Sequence, residues 1–403
     1  MGTITLASRV MGNGPCLISN LIKNLFMIVV HACAPEVPLV AKGRIAGLDT
    51  LRALAIVLVL CTHYAVVVSR EPTFGYFTRW GWAGVDLFFV LSGYLIGSQI
   101  MAPLATGQVF SWRNFMARRF LRTLPNYYVI LALYLLLGQT LGGSTTASVW
   151  QFLTFTQNFS FLQWNHTFSH SWSLCIEEQF YLALPLALLL AWRMPRPVLA
   201  MWVLAVLAIA GGMLARAICW QRLGADAYGA PFYYSSFTRF DELLPGVLIA
   251  LLQHFHPKAF AKMAKQSIWL LISGAGLVIL GLLWIGNQIP TTMPSAILAY
   301  PMLAWGFALV MFSCLQPSSL LNQLMIPGAG QLAAWSYAIY LAHKPVFKLV
   351  LAPLQNAGVS PKSNLGIMLI MSAGIGAGWV LFRLVETPFM NARARWFPSG
   401  VKA

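Results

Sequence analysis

The sequence predicts an all-α fold: a polytopic, membrane-embedded bundle of about ten transmembrane helices. Three observations lead there. Of 403 residues, 59% are hydrophobic and only 9% charged, with a mean hydropathy of +0.71; a soluble domain carries about 25% charged residues. The apolar residues fall in runs close to the roughly 20 needed to cross the hydrocarbon core of a bilayer. Lys and Arg, 26 against 10 Asp and Glu, collect between those runs. This placement explains the net charge of +16 as membrane topology and argues against nucleic-acid binding, which would gather the cations in one stripe.

Residues 1–43 read as an N-terminal extension. Its apolar run, 17–30, is interrupted by Asn20, Lys23 and Asn24, is short for a span, and lacks a clear small-residue cleavage site. An interfacial helix, a signal-like segment and an upstream start all remain open. The membrane domain is expected over 44–390 and a cytoplasmic tail over 391–403. Spans are expected at 50–69, 83–101, 125–142, 173–192, 198–216, 239–253, 268–286, 296–315, 332–351 and 365–385, the sixth being short and opening with charges. With the N-terminus inside, the inner loops hold Arg113, Arg118, Arg119, Arg122, Arg193, Arg196, Lys258, Lys262 and Lys265. The outer loop 143–171 holds no Lys or Arg and is rich in Trp, Phe, Asn, Ser and Thr. The positive-inside rule therefore places both termini in the cytoplasm. The six cysteines form no CxxC pair and read as small hydrophobes.

An ionisable side chain at the centre of a membrane helix costs about 2.5–3.5 kcal/mol on insertion scales. Seven of the ten acids nevertheless lie in or at the ends of spans: Asp49, Asp86, Glu177, Glu178, Asp241, Glu242 and Glu386. A polar interior is implied. In the first span Arg52 and His63 are three turns apart on one face, about 16 Å along the axis. Neutral imidazole is a suitable general base near pH 7, whereas a core histidine bonded to a neighbouring helix is the plainer alternative. Asp49, three residues before Arg52, is placed to pair with it. Arg118, Arg119 and Arg122 precede the third span as RRxxR; such guanidinium forks bind phosphate oxygens, and they equally satisfy topology or anionic lipid.

Glu177 and Glu178 are adjacent and point to different faces of the fourth span. Glu178 and Tyr181, three apart, are within reach of each other. His166 and His170 have metal-like spacing but lack an obvious third ligand, so no metal is expected. Trp164, Phe168 and Trp172 suit either a sugar face or an interfacial aromatic belt. Arg239 and Asp241, two residues apart, do not face each other on a helix, so each should bond elsewhere. Tyr340 and His343, three apart, suit a structural hydrogen bond or a polar-cavity wall.

Taken in order, GLDTLRALAIVLVLCTH, GWAGVDLFFVLSGYLIG, RRFLRTLPNYY, HSWSLCIEEQFYLALP, FTRFDELLPG, SYAIYLAHKPV and VETP resemble the membrane acyltransferase family 3 over about residues 44–390. The resemblance implies an enzyme that O-acylates, commonly O-acetylates, surface carbohydrates in the bacterial inner membrane. It implies acyl-CoA as co-substrate, no tightly bound cofactor, and a carbohydrate or lipid-linked glycan as acceptor. It places the catalytic residues on His63, Arg52 and Glu178, and the donor-binding arginines on Arg118, Arg119 and Arg122. Trp172, Glu177, Arg239 and Asp241 are the residues expected to hold the acceptor. Some members carry a fused esterase-like domain, which is not expected here. On this reading the donor phosphates dock on the arginines, the pantetheine arm runs past Arg52, and His63 takes a proton from the attacking sugar hydroxyl. A covalent acyl-histidine remains an alternative route. A secondary transporter of a small solute or sugar is the competing class, since buried Arg, His and Glu also suit proton coupling. A scaffold presenting lipid-linked sugar is the third.

Overall fold

Several helices in the computed structural model begin where the chain supplies a side-chain cap or a proline. The structure describes residues 45–398 apart from 139, 142–146, 161–166, 225–229, 287–289 and 325. The expected extension 1–43, His166, Trp164 and the end of the tail lie outside the described residues. Twelve described helices have eight or more residues: α1 Ala46–Tyr64, α2 Gly84–Ala105, α3 Trp112–Leu136, α4 Trp172–Trp192, α5 Pro197–Leu223, α6 Leu244–Phe255, α7 Pro257–Ala264, α8 Ser267–Ile285, α9 Met293–Ser313, α10 Ala329–Asn356, α11 Asn364–Leu381 and α12 Thr387–Trp396. The side chains of Ser111 and Ser363 accept from the first-turn amides of Asn114 and Gly366, capping α3 and α11. Thr292 and Ser295 form a capping box at the start of α9. Proline stands in the first turn of α5, α6, α7 and α12, where its missing N–H costs nothing.

Each of the ten expected spans meets a helix, and the fold is a helical membrane bundle. Among the described residues, seven helical stretches are long and apolar enough to cross a bilayer. The three other expected spans correspond to α3, α6 and α10, and each has a physical reason. The first turns of α3 carry Arg113, Arg118, Arg119 and Arg122. Helix α6 has only 12 residues. Helix α10 carries His343, Lys344 and Lys348. Polar side chains lower the hydropathy of α3 and α10, and most of them are turned toward protein.

Burial sorts the spans into centre and rim. In α1 with its following turn, and in α9, 61% of the apolar window is buried; in α5 and α8 the figures are 17% and 22%. Leu207 and Leu214 on α5, and Ile272 and Leu283 on α8, are exposed. In water such a surface would drive association, whereas lipid tails solvate it. At the centre α1 packs on α2 and α10, and α2 packs on α6. Helix α2 approaches the Phe240–Leu243 turn so closely that a Cβ on Gly93 would run into the Leu243 carbonyl. Gly246 on α6 makes the reciprocal approach to the Val90 carbonyl of α2. Small residues at helix contacts allow this in membranes.

Two fully buried arginines fix this region. Arg216 of α5 donates to both carboxylate oxygens of Asp241 at 2.7 Å and to the Thr238 carbonyl at 2.6 Å. Its Nε donates to the Ile297 carbonyl at 3.3 Å, an acceptor left without its helical partner because Pro301 has no N–H. Arg239 pairs with Asp86 at 3.0 Å and Glu242 at 2.5 Å. The rings of Tyr300, Tyr233 and Trp172 box its guanidinium at 4.1, 4.7 and 5.2 Å. Arg239 and Asp241 thus each bond elsewhere, as their two-residue spacing predicts.

Candidate active site

The site has two layers joined along α1 and α10. The first is a cavity of about 340 Å³. Its wall takes Arg52 from α1, Ser92 from α2, Arg118, Arg119 and Arg122 from α3, and Ser173, Glu177, Glu178 and Tyr181 from α4. Ser336, Tyr337 and Tyr340 of α10 and Arg393 of α12 complete it. Five arginines and two glutamates on one wall make an anion-binding space, because guanidinium groups hold phosphate or carboxylate oxygens by charge-assisted forks.

Local structure aims these side chains. RRxxR at helical spacing puts Arg118 and Arg122 on one face with Arg119 beside them. The Arg119 guanidinium lies 5.3 Å from the centroid of the Tyr181 ring. Arg118 donates to the carbonyl of Phe397, which brings α12 and Arg393 over the cavity. Glu386 accepts from Asn126 at 2.8 Å and ties the same segment to α3. Asp49 pairs with Arg52 at 3.6 Å, as expected. Tyr181 donates to Glu177, four residues earlier, rather than to Glu178 as its spacing had suggested. Ser92 donates to the same Glu177 oxygen at 2.8 Å. The i to i+4 geometry brings Tyr181 over Glu177, leaving Glu178 facing Thr123 on α3.

The second layer is a cluster of three histidines. His63 of α1 and His343 of α10 meet through Nδ1 and Nε2 at 2.9 Å, with ring centroids 4.9 Å apart. The ring of His170 lies 5.4 Å from His343 and 6.2 Å from His63. His170 precedes α4 in the turn Ser169–Ser171, which is set by Phe168 in the left-handed region at φ 54°. A non-glycine residue there costs about 1–3 kcal/mol. Burial of Phe168 among Tyr134, Tyr127 and Phe152 offsets that cost. His170 Nε2 donates to the Leu341 carbonyl at 3.2 Å. Pro345, four residues after Leu341, has no N–H to fill that acceptor. Just past His63, α1 widens into a π-turn over Ala65–Ser69, a distortion frequent at functional sites.

Tyr340 connects the layers. Its ring lines the cavity, and its hydroxyl donates to the His170 carbonyl at 2.7 Å and accepts from Ser173 at 2.6 Å. Arg52 lies on the cavity wall and His63 in the histidine layer, about 16 Å apart along α1. Lys344 reaches the same turn, donating to Ser169 at 2.6 Å. Trp172, Arg239 and Asp241 do not line the cavity; they belong to the buried ion-pair layer beside it. Among the described residues no group of three or more His, Cys, Asp or Glu is arranged to hold a metal.

The sequence left three features unassigned. Arg393 read as a tail charge, and only the fold of α12 over α3 brings it to the cavity. The pairing of His63 with His343 joins residues 280 positions apart, beyond any local spacing. His170 read as one half of a weak metal pair and stands instead in the histidine cluster. The phrase YLAHKP held a usable signal, since a proline inside a polar helix frees a carbonyl four residues earlier.

The class of this membrane bundle, with its arginine-lined cavity and clustered histidines, is defined by comparison with known families. The family model described as "Acyltransferase domain" matches residues 45–383, so the chain belongs to that family. It is 27% identical over 376 residues to peptidoglycan O-acetyltransferase OatA of Listeria monocytogenes, covering 86% of this chain and 56% of that protein. It is 26% identical over 381 residues to putative peptidoglycan O-acetyltransferase YrhL of Bacillus subtilis, covering 89% and 56%. A putative O-acetyltransferase of Staphylococcus aureus matches at 28% over 229 residues, covering 52% of this chain and 35% of that protein. The chain spans about half the length of the first two relatives. No solved structure matches it.

Proposed function

We propose that the chain transfers an acyl group, acetyl in the simplest case, from acyl-CoA to a hydroxyl of a cell-surface polysaccharide, with peptidoglycan among the acceptors. One observation carries this reading: a cavity walled by Arg52, Arg118, Arg119, Arg122 and Arg393, whose Arg52 lies about three helical turns along α1 from the His63–His343 pair. A donor with several phosphates at one end and a reactive thioester at the far end of a narrow arm matches that layout. The names of the relatives support acetyl as the group and peptidoglycan as an acceptor.

In this mechanism Arg118, Arg119, Arg122 and Arg393 take the donor's phosphates. Arg52 holds the arm where it leaves the cavity. His63 removes the proton of the acceptor hydroxyl as its oxygen attacks the thioester carbon. The C–S bond then breaks, and the proton passes from His63 to the departing thiolate. Glu178 is the cavity carboxylate that orients groups at this wall, while Glu177 is held by Tyr181 and Ser92. The buried set of Trp172, Arg239 and Asp241 keeps α2, α4 and α5 in the arrangement the acceptor meets. The arginine layer faces the cytoplasm and both termini lie on that side, in keeping with the distribution of Lys and Arg.

The test is CoA release by the purified full chain in detergent, with acetyl-CoA and a panel of glycans. Acceptor-dependent release that falls roughly 10²–10⁴-fold in His63→Ala is expected for loss of a general base. Turnover undiminished in that variant would remove His63 from the chemistry. Solute flux in proteoliposomes without any CoA release would favour a transporter.

A further inference from the structure

We infer that His343 is the positioning residue that fixes which nitrogen of His63 is basic. The inference deepens the acyl-transfer reading and rests on it for its catalytic consequence, though the tautomer itself does not.

The hydrogen bonds settle the protons one after another. His343 Nδ1 lies 3.0 Å from the Ile339 carbonyl. A carbonyl oxygen only accepts, so Nδ1 of His343 carries the hydrogen. In neutral imidazole the other nitrogen then holds a lone pair. That nitrogen, Nε2, stands 2.9 Å from His63 Nδ1, so His63 Nδ1 must be the donor. The lone pair of His63 is thereby confined to Nε2. This nitrogen has no hydrogen-bond partner among the described residues, and His63 is only partly buried. It is the free position from which a proton can be taken. Histidine in water prefers the opposite tautomer, with the hydrogen on Nε2, which would leave no base at the open position.

Both residues sit on helices that hold them. His343 is fully buried, and α1 and α10 pack along their length. Tyr340 and Phe347, one turn to either side, flank the His343 ring at 6.0 and 5.6 Å. When His63 gains a proton, its Nδ1–H bond to His343 becomes charge-assisted and strengthens. The geometry copies the logic of a triad in which a third group orients the base, here with a neutral acceptor in place of a carboxylate. The cluster supplies one further acceptor. His170 donates from Nε2 to Leu341, so its buried Nδ1 is a lone pair without a partner.

The experiment is nitrogen NMR on the full chain in nanodiscs with ¹⁵N-histidine, the His63 signals being assigned by their loss in His63→Ala. The wild type should show His63 with the hydrogen on Nδ1. His343→Gln, whose side-chain oxygen restores an acceptor, should keep that tautomer, and His343→Phe should shift it toward Nε2–H. CoA release measured alongside should show kcat lowered roughly tenfold or more in His343→Phe, with donor KM within about twofold and most of kcat recovered in His343→Gln. A wild-type His63 carrying its hydrogen on Nε2 would overturn the inference whether or not the chain transfers acyl groups. Equal loss of kcat in the Gln and Phe variants with an unchanged tautomer would overturn it as well. Absence of CoA release in the wild type, with the Nδ1–H tautomer present, would count against the acyl-transfer reading and leave the tautomer assignment standing.

Discussion

At the scale of single residues, charge placement separates binding from structure. Arg119 lines the cavity, while Arg216 and Arg239 are fully enclosed by carboxylates and rings. Substituting Arg119 by Ala should raise donor KM roughly tenfold or more, the value of a charge-assisted hydrogen bond of about 1.5–3 kcal/mol. Initial-rate kinetics in acetyl-CoA check this, and a changed kcat with unchanged KM would place Arg119 outside donor binding. Asp241→Ala should act through stability, because Arg216 would be left as an uncompensated buried charge at a cost of about 3–5 kcal/mol. A large drop in the unfolding temperature of the detergent-solubilised protein is expected. The sequence made Arg52, His63 and the RRxxR cluster legible because each is an ionisable group in or beside an apolar run. It left His343 ambiguous, since a hydrogen bond between distant helices has no signature in local spacing.

Whole elements follow patterns that were easier to read. Apolar runs located all ten expected helices, but not all their ends: α3 starts at Trp112, thirteen residues before the expected 125, and α5 runs to Leu223, seven past the expected 216. The sixth span read as short, and α6 has only 12 residues; α3 and α10 read as spans although their polar side chains, many of them turned toward protein, lower their hydropathy. The close crossing of α2 with the start of α6 was not legible: Gly93 in an apolar run looks like any membrane glycine until its neighbour is known. Gly93→Ala should cost about 1–3 kcal/mol by overpacking, read as a lower unfolding temperature. On the rim, Leu207→Ala should leave both stability and activity close to wild type, since this side chain is exposed on the lipid-facing surface of α5. A marked loss of stability there would mean that α5 packs against something other than lipid.

For the molecule as a whole, the two layers imply a direction. Cations crowd the cavity end of α1, and the histidines stand about three turns further along it. An acyl donor held at one membrane face and an acceptor entering from the other would meet near His63, without either crossing the bilayer. On the proposed reading, with the basic loops inside, the donor is held at the cytoplasmic face. The helical spacing put Arg52 and His63 on one face of α1, and the donor path past them is what the family resemblance implies. The fold added Arg393, brought in by the return of α12 over α3, which linear position could not reveal.

The most direct measurement reconstitutes the full chain in sealed proteoliposomes with a known fraction in each orientation. Acetyl-CoA labelled in the acetyl group is supplied on one side and a glycan acceptor on the other. The account predicts labelled acceptor when donor and acceptor are on opposite sides, abolished by His63→Ala and weakened by Arg119→Ala. Product that forms only when both substrates share one side would contradict it.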